Sequence, residues 1–412
     1  MLLLLLTSLS YGSKFYGYFS TNTYTFSRKN LDDSTLVHIR LYQSVWLQGR
    51  DVLIKKSRLN ISGVFYMDPV NPFHYGDVEN STDGDYVFQI YNFNYSTSWF
   101  SDRMKVNIGR QFQYSVSDAG RLDGISTDYT FRQLKFKGFA GLYVPASGMT
   151  ENPSDDHFYG GEISWKKSKS FDLKLGYSDK SHSREIYHSN AVFKDVEVPP
   201  SIRQRVGIQS SLKRGHLTFY ARTRHRIREF ELDDATFQTT YHGNRDQRLQ
   251  NVVFEYNLRK PQIPDNSIFS VFDSYASQEF SLRGRLSLVK KISGWFNFRQ
   301  VLFNNDQSSI ILLGVGMSVV RAEFVRQDGY GGSSNRMVVG ARKKMGKLNL
   351  SSRLSLGNYR LIEGKWNDLS TVTFSASYPM WKKFEINSEI HVLKNKYYSN
   401  DTRLQMGIRY RL

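Results

Sequence analysis

The chain has no cysteine. Disulfides, thiolate nucleophiles and cysteine-held metals are therefore excluded, and a cysteine-free secreted chain suits the periplasm and outer membrane. Proline is scarce, at 9 residues in 412. Beyond the N-terminus no apolar run approaches the about 20 residues that a membrane-crossing helix needs. The longest, Ile310 to Leu313, is strand-sized. The 9 histidines are scattered without a His-x-x-x-His pair, and no G-x-S-x-G elbow occurs. Catalysis, a metal centre and a cofactor are not expected. Asp155-Asp156 and Asp233-Asp234 fall in segments that read as loops. They are expected to be turn residues rather than calcium ligands, although oxygen-rich loops can bind calcium.

What the chain has in abundance is aromatic and basic residues. Aromatics make up 15%, with 26 Tyr and 28 Phe, while mean hydropathy is only −0.49. That combination fits barrels whose aromatic girdles lie at both membrane interfaces. Lys and Arg number 56 against 38 Asp and Glu, a net charge of +18. Such an excess attracts anions. Nucleic acid is not expected as the partner, because the basic residues are threaded along alternating segments rather than gathered in a helix or an aromatic-basic motif. Met1 to Leu6 are apolar, and Thr7 to Gly12 are small or polar. This reads as the end of a secretory signal cleaved after Gly12. Residues 13–412 then form one domain, without a separate plug, because strand signals begin at Lys14.

No helical period stands out; strand, tight turn, strand and longer polar loop recur. Tight turns fall at Gln48-Gly49-Arg50-Asp51, Ser101-Asp102, Arg132-Gln133, Lys167-Ser168-Lys169, Arg214-Gly215, Lys290-Lys291, Met345-Gly346-Lys347 and Pro379 to Lys383. Longer segments fall at Ser27–Asp33, Asp68–Gly84, Ala146–His157, Asp179–Pro200, Glu229–Asp246, Asp328–Asn335, Asn358–Asp368 and Asn395–Asn400. The hairpin from Ser309 to Asp328 shows no good turn residue. The intervening strands are two-faced. Val37, Ile39, Leu41, Val45 and Leu47 oppose His38, Arg40, Tyr42, Ser44 and Gln48. Met104, Val106 and Ile108 oppose Lys105, Asn107, Gln111 and Gln113, and Leu348, Leu350, Leu354 and Leu356 oppose Asn349, Ser351, Arg353 and Ser355. The expected fold is all-β: a single antiparallel transmembrane β-barrel of about 22 strands, in a range of about 18 to 22, with short periplasmic turns and long extracellular loops.

The last ten residues carry the pattern to the chain end. Leu404, Met406, Ile408, Tyr410 and Leu412 share one parity; Arg403, Gln405, Gly407, Arg409 and Arg411 share the other. The spacing Gln405-x-Gly407-x-x-Tyr410-x-Leu412 resembles the C-terminal insertion signal of Gram-negative outer-membrane barrels, with Leu412 where the usual final residue is aromatic. The resemblance implies an outer-membrane address, with outer-membrane lipid, lipopolysaccharide and the barrel-assembly machinery as partners.

One hairpin concentrates charge. Arg203, Arg205, Gln209 and Lys213 share a face, as do His216, Tyr220, Arg222, Arg224, Arg226 and Arg228. With Arg214-Gly215 as a two-residue turn, Lys213 would pair with His216, Arg205 with Arg224 and Arg203 with Arg226. Like charges directly opposite are destabilising, so such a wall calls for wide solvent, neighbouring carboxylates or a bound anion. Arg226 and Arg228 read equally well as extracellular-rim residues for lipopolysaccharide phosphates. Further cations of lumen parity are Arg40, Lys56, Arg58, Lys105, Arg283, Arg285 and Arg353. Arginine or lysine rings lining a pore favour anions.

Val106-Asn107-Ile108-Gly109-Arg110-Gln111, followed by Gly120-Arg121-Leu122-Asp123-Gly124-Ile125, resembles the G-R-Q then D-G stretch of porins and alginate-export-type barrels, read as strand ends and a turn. That resemblance implies export of anionic polysaccharide through an Arg-lined lumen. The expected function is a channel for anionic or polyanionic solutes, constricted by Asp179–Pro200 and Glu229–Asp246. The alternative is a scaffold enclosing a periplasmic or lumenal protein partner, such as a multihaem cytochrome or a lipoprotein plug. A surface adhesin acting through its loops is a third reading.

Overall fold

Alternation of apolar and polar side chains over long stretches leaves the backbone one economical solution, the extended strand. The computed structural model describes residues 14–30, 35–70, 86–145, 155–183, 185–189, 194–198, 200–244, 248–260, 276–303, 306–329, 332–361, 364–395 and 398–412. The signal expected at residues 1–12 lies outside them, as does most of the 68–84 loop. The strands are β1 (Lys14–Asn30), β2 (Thr35–Arg50), β3 (Arg58–Val70), β4 (Tyr86–Trp99), β5 (Met104–Tyr114), β6 (Ala119–Phe131), β7 (Leu134–Val144) and β8 (His157–Ser168). There follow β9 (Phe171–His182), β10 (Glu185–Ser189), β11 (Lys194–Val198), β12 (Ser201–Arg214), β13 (Leu217–Arg226), β14 (Glu231–His242), β15 (Leu249–Arg259) and β16 (Ser277–Val289). The last are β17 (Ile292–Leu302), β18 (Gln307–Gly316), β19 (Val320–Gly329), β20 (Ser333–Met345), β21 (Leu348–Arg360), β22 (Asn367–Pro379), β23 (Phe384–Lys394) and β24 (Tyr398–Arg411).

Twenty-two of these strands form one antiparallel sheet in which each pairs with its chain neighbour, except that β9 pairs with β12. The small hairpin β10–β11 stands apart as its own sheet. β24 pairs with both β23 and β1, so the sheet closes on itself and has no edge. The final residue takes part: the Leu412 N–H donates to the Gly17 carbonyl at 3.0 Å. Gly407 sits where Asn22 and Asn387 converge from the flanking strands. Tyr410 lies on the other face with its ring 4.8 Å from that of Phe384.

The exterior is a field of exposed large apolar side chains, among them Phe93, Ile108, Ile208, Phe237, Phe254, Leu313, Phe374, Met406 and Ile408. Each lies on the parity that the sequence assigns to hydrocarbon. The opposite face carries most of the charge and amide groups. It is not uniformly polar: Leu122, Phe139 and Phe158 form a buried cluster on the inner side of β6–β8, with Tyr143 packed against it. This apolar patch inside the barrel runs against the expected two-faced pattern.

A row of glycines crosses the same region. Gly109, Gly124, Gly141, Gly160, Gly176 and Gly207 run diagonally across the inner faces of β5–β9 and β12. A Cβ at Gly124 would meet the Ala140 carbonyl oxygen and stand 2.5 Å from Gly141 Cα. The neighbouring backbone leaves no room for a side chain there, so glycine is required for the close approach.

Several connections differ from the expected pattern. Residues 229–246 are not one long loop: a turn at 227–230 leads into β14, which runs to His242. Asp179 to His182 belong to β9. β5 and β6 are joined by only residues 115–118, on the side where long loops were expected. The 309–328 hairpin turns at Met317–Val319, closed by the Met317 N–H donating to the Val320 carbonyl at 2.8 Å. The strand alternation around these acid-rich stretches outweighs their loop-like composition.

A Gly124→Ala variant should lower the urea midpoint of the folded barrel by the equivalent of about 1–3 kcal/mol of overpacking. Gly138→Ala, where the nearest atom is 3.7 Å away, should be near neutral. Equal effects would contradict the close-approach argument.

Candidate functional site

The arginine hairpin forms with its faces as expected but in a different register. Gly215-His216 make the turn, Gly215 taking the left-handed position at φ 57°. Arg214 pairs with Leu217, Gln209 with Arg222, Gly207 with Arg224 and Arg205 with Arg226. The pairing is offset by two residues from the expected one, because the turn lies one residue further along. An offset of two preserves every face, so Arg203, Arg205, Arg222, Arg224 and Arg226 all point inward.

Carboxylates interleave with this wall. Asp233 and Asp234, expected in a loop, are strand residues of β14. The β13–β14 register slips between Arg224 and His225, which leaves Asp233 as the extra residue of a bulge. Consecutive carboxylates thereby both reach inward arginines. Asp233 lies 2.6 Å from Arg205 Nη2 and 3.8 Å from Arg226 Nε. Asp234 bridges Arg224 and, at 3.5 Å, Arg222. Glu231 lies 2.5 Å from Arg226 Nη2. Arg205, Asp118 and Asp233 side chains retain 11%, 6% and 7% of their exposure, so these pairs are shielded from water.

The fourth acid comes from across the sheet. Asp118 belongs to the 115–118 segment, which folds inward over β8, β9 and β12. It lies 3.1 Å from Arg205 Nη1 and 3.2 Å from Lys180 Nζ. Lys180 also donates to the Ala119 carbonyl at 3.1 Å and rests over the Tyr143 and Phe158 rings at 5.3 and 5.5 Å. The Val116 N–H donates to Glu162 Oε2 at 2.8 Å. Gly176 and Gly207 form the seat: a Cβ on Gly207 would stand 2.5 Å from the Val116 carbonyl oxygen, and one on Gly176 2.8 Å from Val116 Cγ1. Sequence reasoning found the arginines and missed Asp118, Glu231, Asp233 and Asp234. The one available signal was that a row of opposed arginines requires counter-charge.

Apart from Lys56 and Arg228, which lie in turns, the remaining candidates occupy the same inner face. Arg40 lies 6.0 Å from the Tyr42 ring centroid. Arg58 pairs in register with Arg50, and Lys105 with Asp128. Lys56 sits in the 51–57 turn, bridged to Asp102 at 2.9 Å. Arg283 lies 3.3 Å from Glu255, Arg285 pairs in register with Trp295, and Arg353 with Gly340. These residues are spread around the ring and do not form one cluster with the hairpin. Arg228 is in the exposed 227–230 turn. Asp155 and Asp156 do lie at a turn; Asp156 accepts from the Ser183 N–H at 2.6 Å. No carboxylate–histidine group with metal-holding geometry occurs among the described residues.

The G-R-Q and D-G stretches prove to be mid-strand rather than strand ends. Arg110 and Asp123 pair directly across β5 and β6. Arg110 Nε donates to Asp123 Oδ1 at 2.8 Å and Nη2 to Oδ2 at 2.6 Å. This bidentate pair is on the outer face, level with exposed Phe93, where mutual neutralisation limits the cost of a charge facing lipid.

No protein-family model matches the chain, and no curated protein matches it. Solved structures do resemble it. The P pilus usher PapC translocation pore aligns over 96% of this chain and 99% of that one, at 10% identity and a TM-score of 0.56. A chain of the E. coli P pilus tip assembly intermediate PapC-PapD-PapK-PapG aligns over 95% of this chain and 60% of that one, at 10% identity and a TM-score of 0.52. Pseudomonas aeruginosa OccK3 aligns over 99% and 97%, at 8% identity and 0.46. The likeness is one of fold: the chain is a closed antiparallel β-barrel like those of these outer-membrane pores.

Asp233→Asn strips Arg205 of a shielded carboxylate and should destabilise the barrel by about 3 kcal/mol in urea unfolding. Adding Arg205→Gln should recover part of that loss. Additive effects of the two substitutions would show that the pair is not coupled.

Proposed function

We propose that the barrel is a channel for anionic or polyanionic solutes. The observation that carries this reading is the imbalance left after the inner-face ion pairs are made. Asp118, Glu231, Asp233, Asp234, Glu255, Glu279, Glu385 and Asp401 are each bridged by a lysine or arginine. Arg203, Arg285, Arg321, Arg342 and Arg353, of the same inward parity, have no carboxylate partner among the described residues, against Glu162, Asp172 and Glu323 as inward carboxylates without a bridging cation. The unspent field inside the barrel is therefore positive, and fixed guanidinium charges favour anions and offer paired donors to carboxylate or phosphate. In the hairpin itself the arginines are mostly compensated, so selectivity rests more on the unpaired cations than on the wall as a whole. The inward 115–118 segment takes the constricting role assigned to the 179–200 and 229–246 loops on sequence grounds.

The ring size supports a second reading. Barrels of 22 strands are wide enough to hold a plug, and a periplasmic or lumenal protein could fill this one. A stoichiometric partner copurifying in detergent would favour that reading over the channel.

Arg203→Glu combined with Arg285→Glu should move the reversal potential of the channel in planar bilayers, under a salt gradient, towards cations. An unchanged potential would remove the anion-channel proposal.

A further inference from the structure

A cavity on the inner face lies away from the arginine hairpin, near the tight-turn end of β19–β23. It measures about 500 Å³ and is lined by Arg321, Arg342, Arg353, Ser351, Ser375 and His391, among others. The register brings the arginines together. Arg321 pairs with Gly340, Gly340 with Arg353, and Arg342 with Ser351. Because Gly340 has no side chain, Arg321 can lie across it: a Cβ there would stand 3.2 Å from Arg321 Nε. Arg321 and Arg353 thus flank one bare backbone position, with Arg342 two residues along β20 on the same face.

The charges here are not compensated as they are at the hairpin. None of the three arginines has an ion pair or a side-chain hydrogen bond among the described residues, and all three are exposed. Glu323 follows Arg321 on the same inner face without bridging to it. The carboxylate in the lining, Glu389, is held by His391 at 2.6 Å, and His391 is within 3.0 Å of the Thr373 hydroxyl. The Ser351 and Ser375 hydroxyls lie 2.6 Å apart and supply neutral donors. Three guanidinium groups lining one cavity beside hydroxyls suit a tetrahedral oxyanion better than a planar carboxylate, because each guanidinium presents a fork of donors to oxygens in different planes.

We infer that Arg321, Arg342 and Arg353 form a lumenal subsite for a phosphate- or sulfate-type group, set at the tight-turn mouth of the barrel. The inference deepens the anion-channel reading and rests on it for its purpose. The subsite would hold a solute's oxyanion group at that mouth, while the compensated hairpin acts near the opposite one.

The test is titration calorimetry of the full chain in detergent with inorganic phosphate, at fixed ionic strength and with chloride as the counter-ion. One saturable site is expected, competed by sulfate and only weakly by acetate. Arg321→Gln with Arg353→Gln should weaken phosphate at least about tenfold, and Arg353→Lys, which keeps the charge and loses the fork, should weaken it less. Arg203→Gln should leave it unchanged. Heat-dependent gel mobility reports that each variant is folded. Absence of saturable phosphate binding in the unaltered protein, or equal affinity in the folded double variant, overturns the subsite. Anion selectivity in bilayers without phosphate binding would sink the subsite and spare the channel; phosphate binding without selectivity would do the reverse.

Discussion

The side-chain period of two is the constraint on which the rest of this molecule depends. A closed ring of 22 strands has only an outside and an inside, so every residue in it faces hydrocarbon or lumen according to its parity. The apolar rows can then meet lipid without a second packed layer, and the chain can be rich in arginine yet keep most of it out of the membrane. Closure is required for this. An open edge in hydrocarbon would leave backbone groups without partners, and the pairing of β24 with β1, completed by Leu412 and Gly17, removes that edge.

Charge on the inner face is organised in two ways. At the hairpin, the bulge in β14 and the inward 115–118 segment bring carboxylates onto opposed arginines. The repulsion of Arg205 and Arg226 becomes part of a network in which each shares Asp233. Such shielded pairs hold geometry rather than add stability, since desolvation offsets much of their attraction. They tie the inward segment to the wall. At the tight-turn mouth the arginines are left solvated and unbridged. The first arrangement fixes structure and the second leaves charge available to a solute.

Fold and faces were legible in the sequence because both follow from local alternation. The parity of Arg203 through Arg226 survived a two-residue register change for the same reason. The register itself was not legible, since a one-residue change in where the turn sits, at Gly215-His216 rather than Arg214-Gly215, resets every partner. The acids that compensate the wall were hidden more deeply. Asp118 reaches Arg205 from four strands away around the ring, between β5 and β6, and no local pattern encodes that contact. Asp233-Asp234 looked like a turn because paired aspartates are common in turns; tertiary pairing with arginine drew them into a strand. The inward cluster of Leu122, Phe139 and Phe158 was not legible in the sequence, since the glycines around it lie on strands far apart in the chain.

The absence of native cysteine permits the most direct test of the central claim. Single cysteines placed in turn from Ile202 to Leu212 along β12, leaving out Arg205 and Gly207 beneath the 115–118 segment, can each carry a spin label in a reconstituted bilayer. Even-numbered positions, including Ile202 and Ile208, should be relaxed chiefly by oxygen dissolved in lipid. Odd-numbered positions, including Arg203 and Gln209, should respond to a water-soluble nickel complex. Strict alternation over the strand is the predicted result; uniform accessibility, or alternation with the two faces exchanged, would contradict the account.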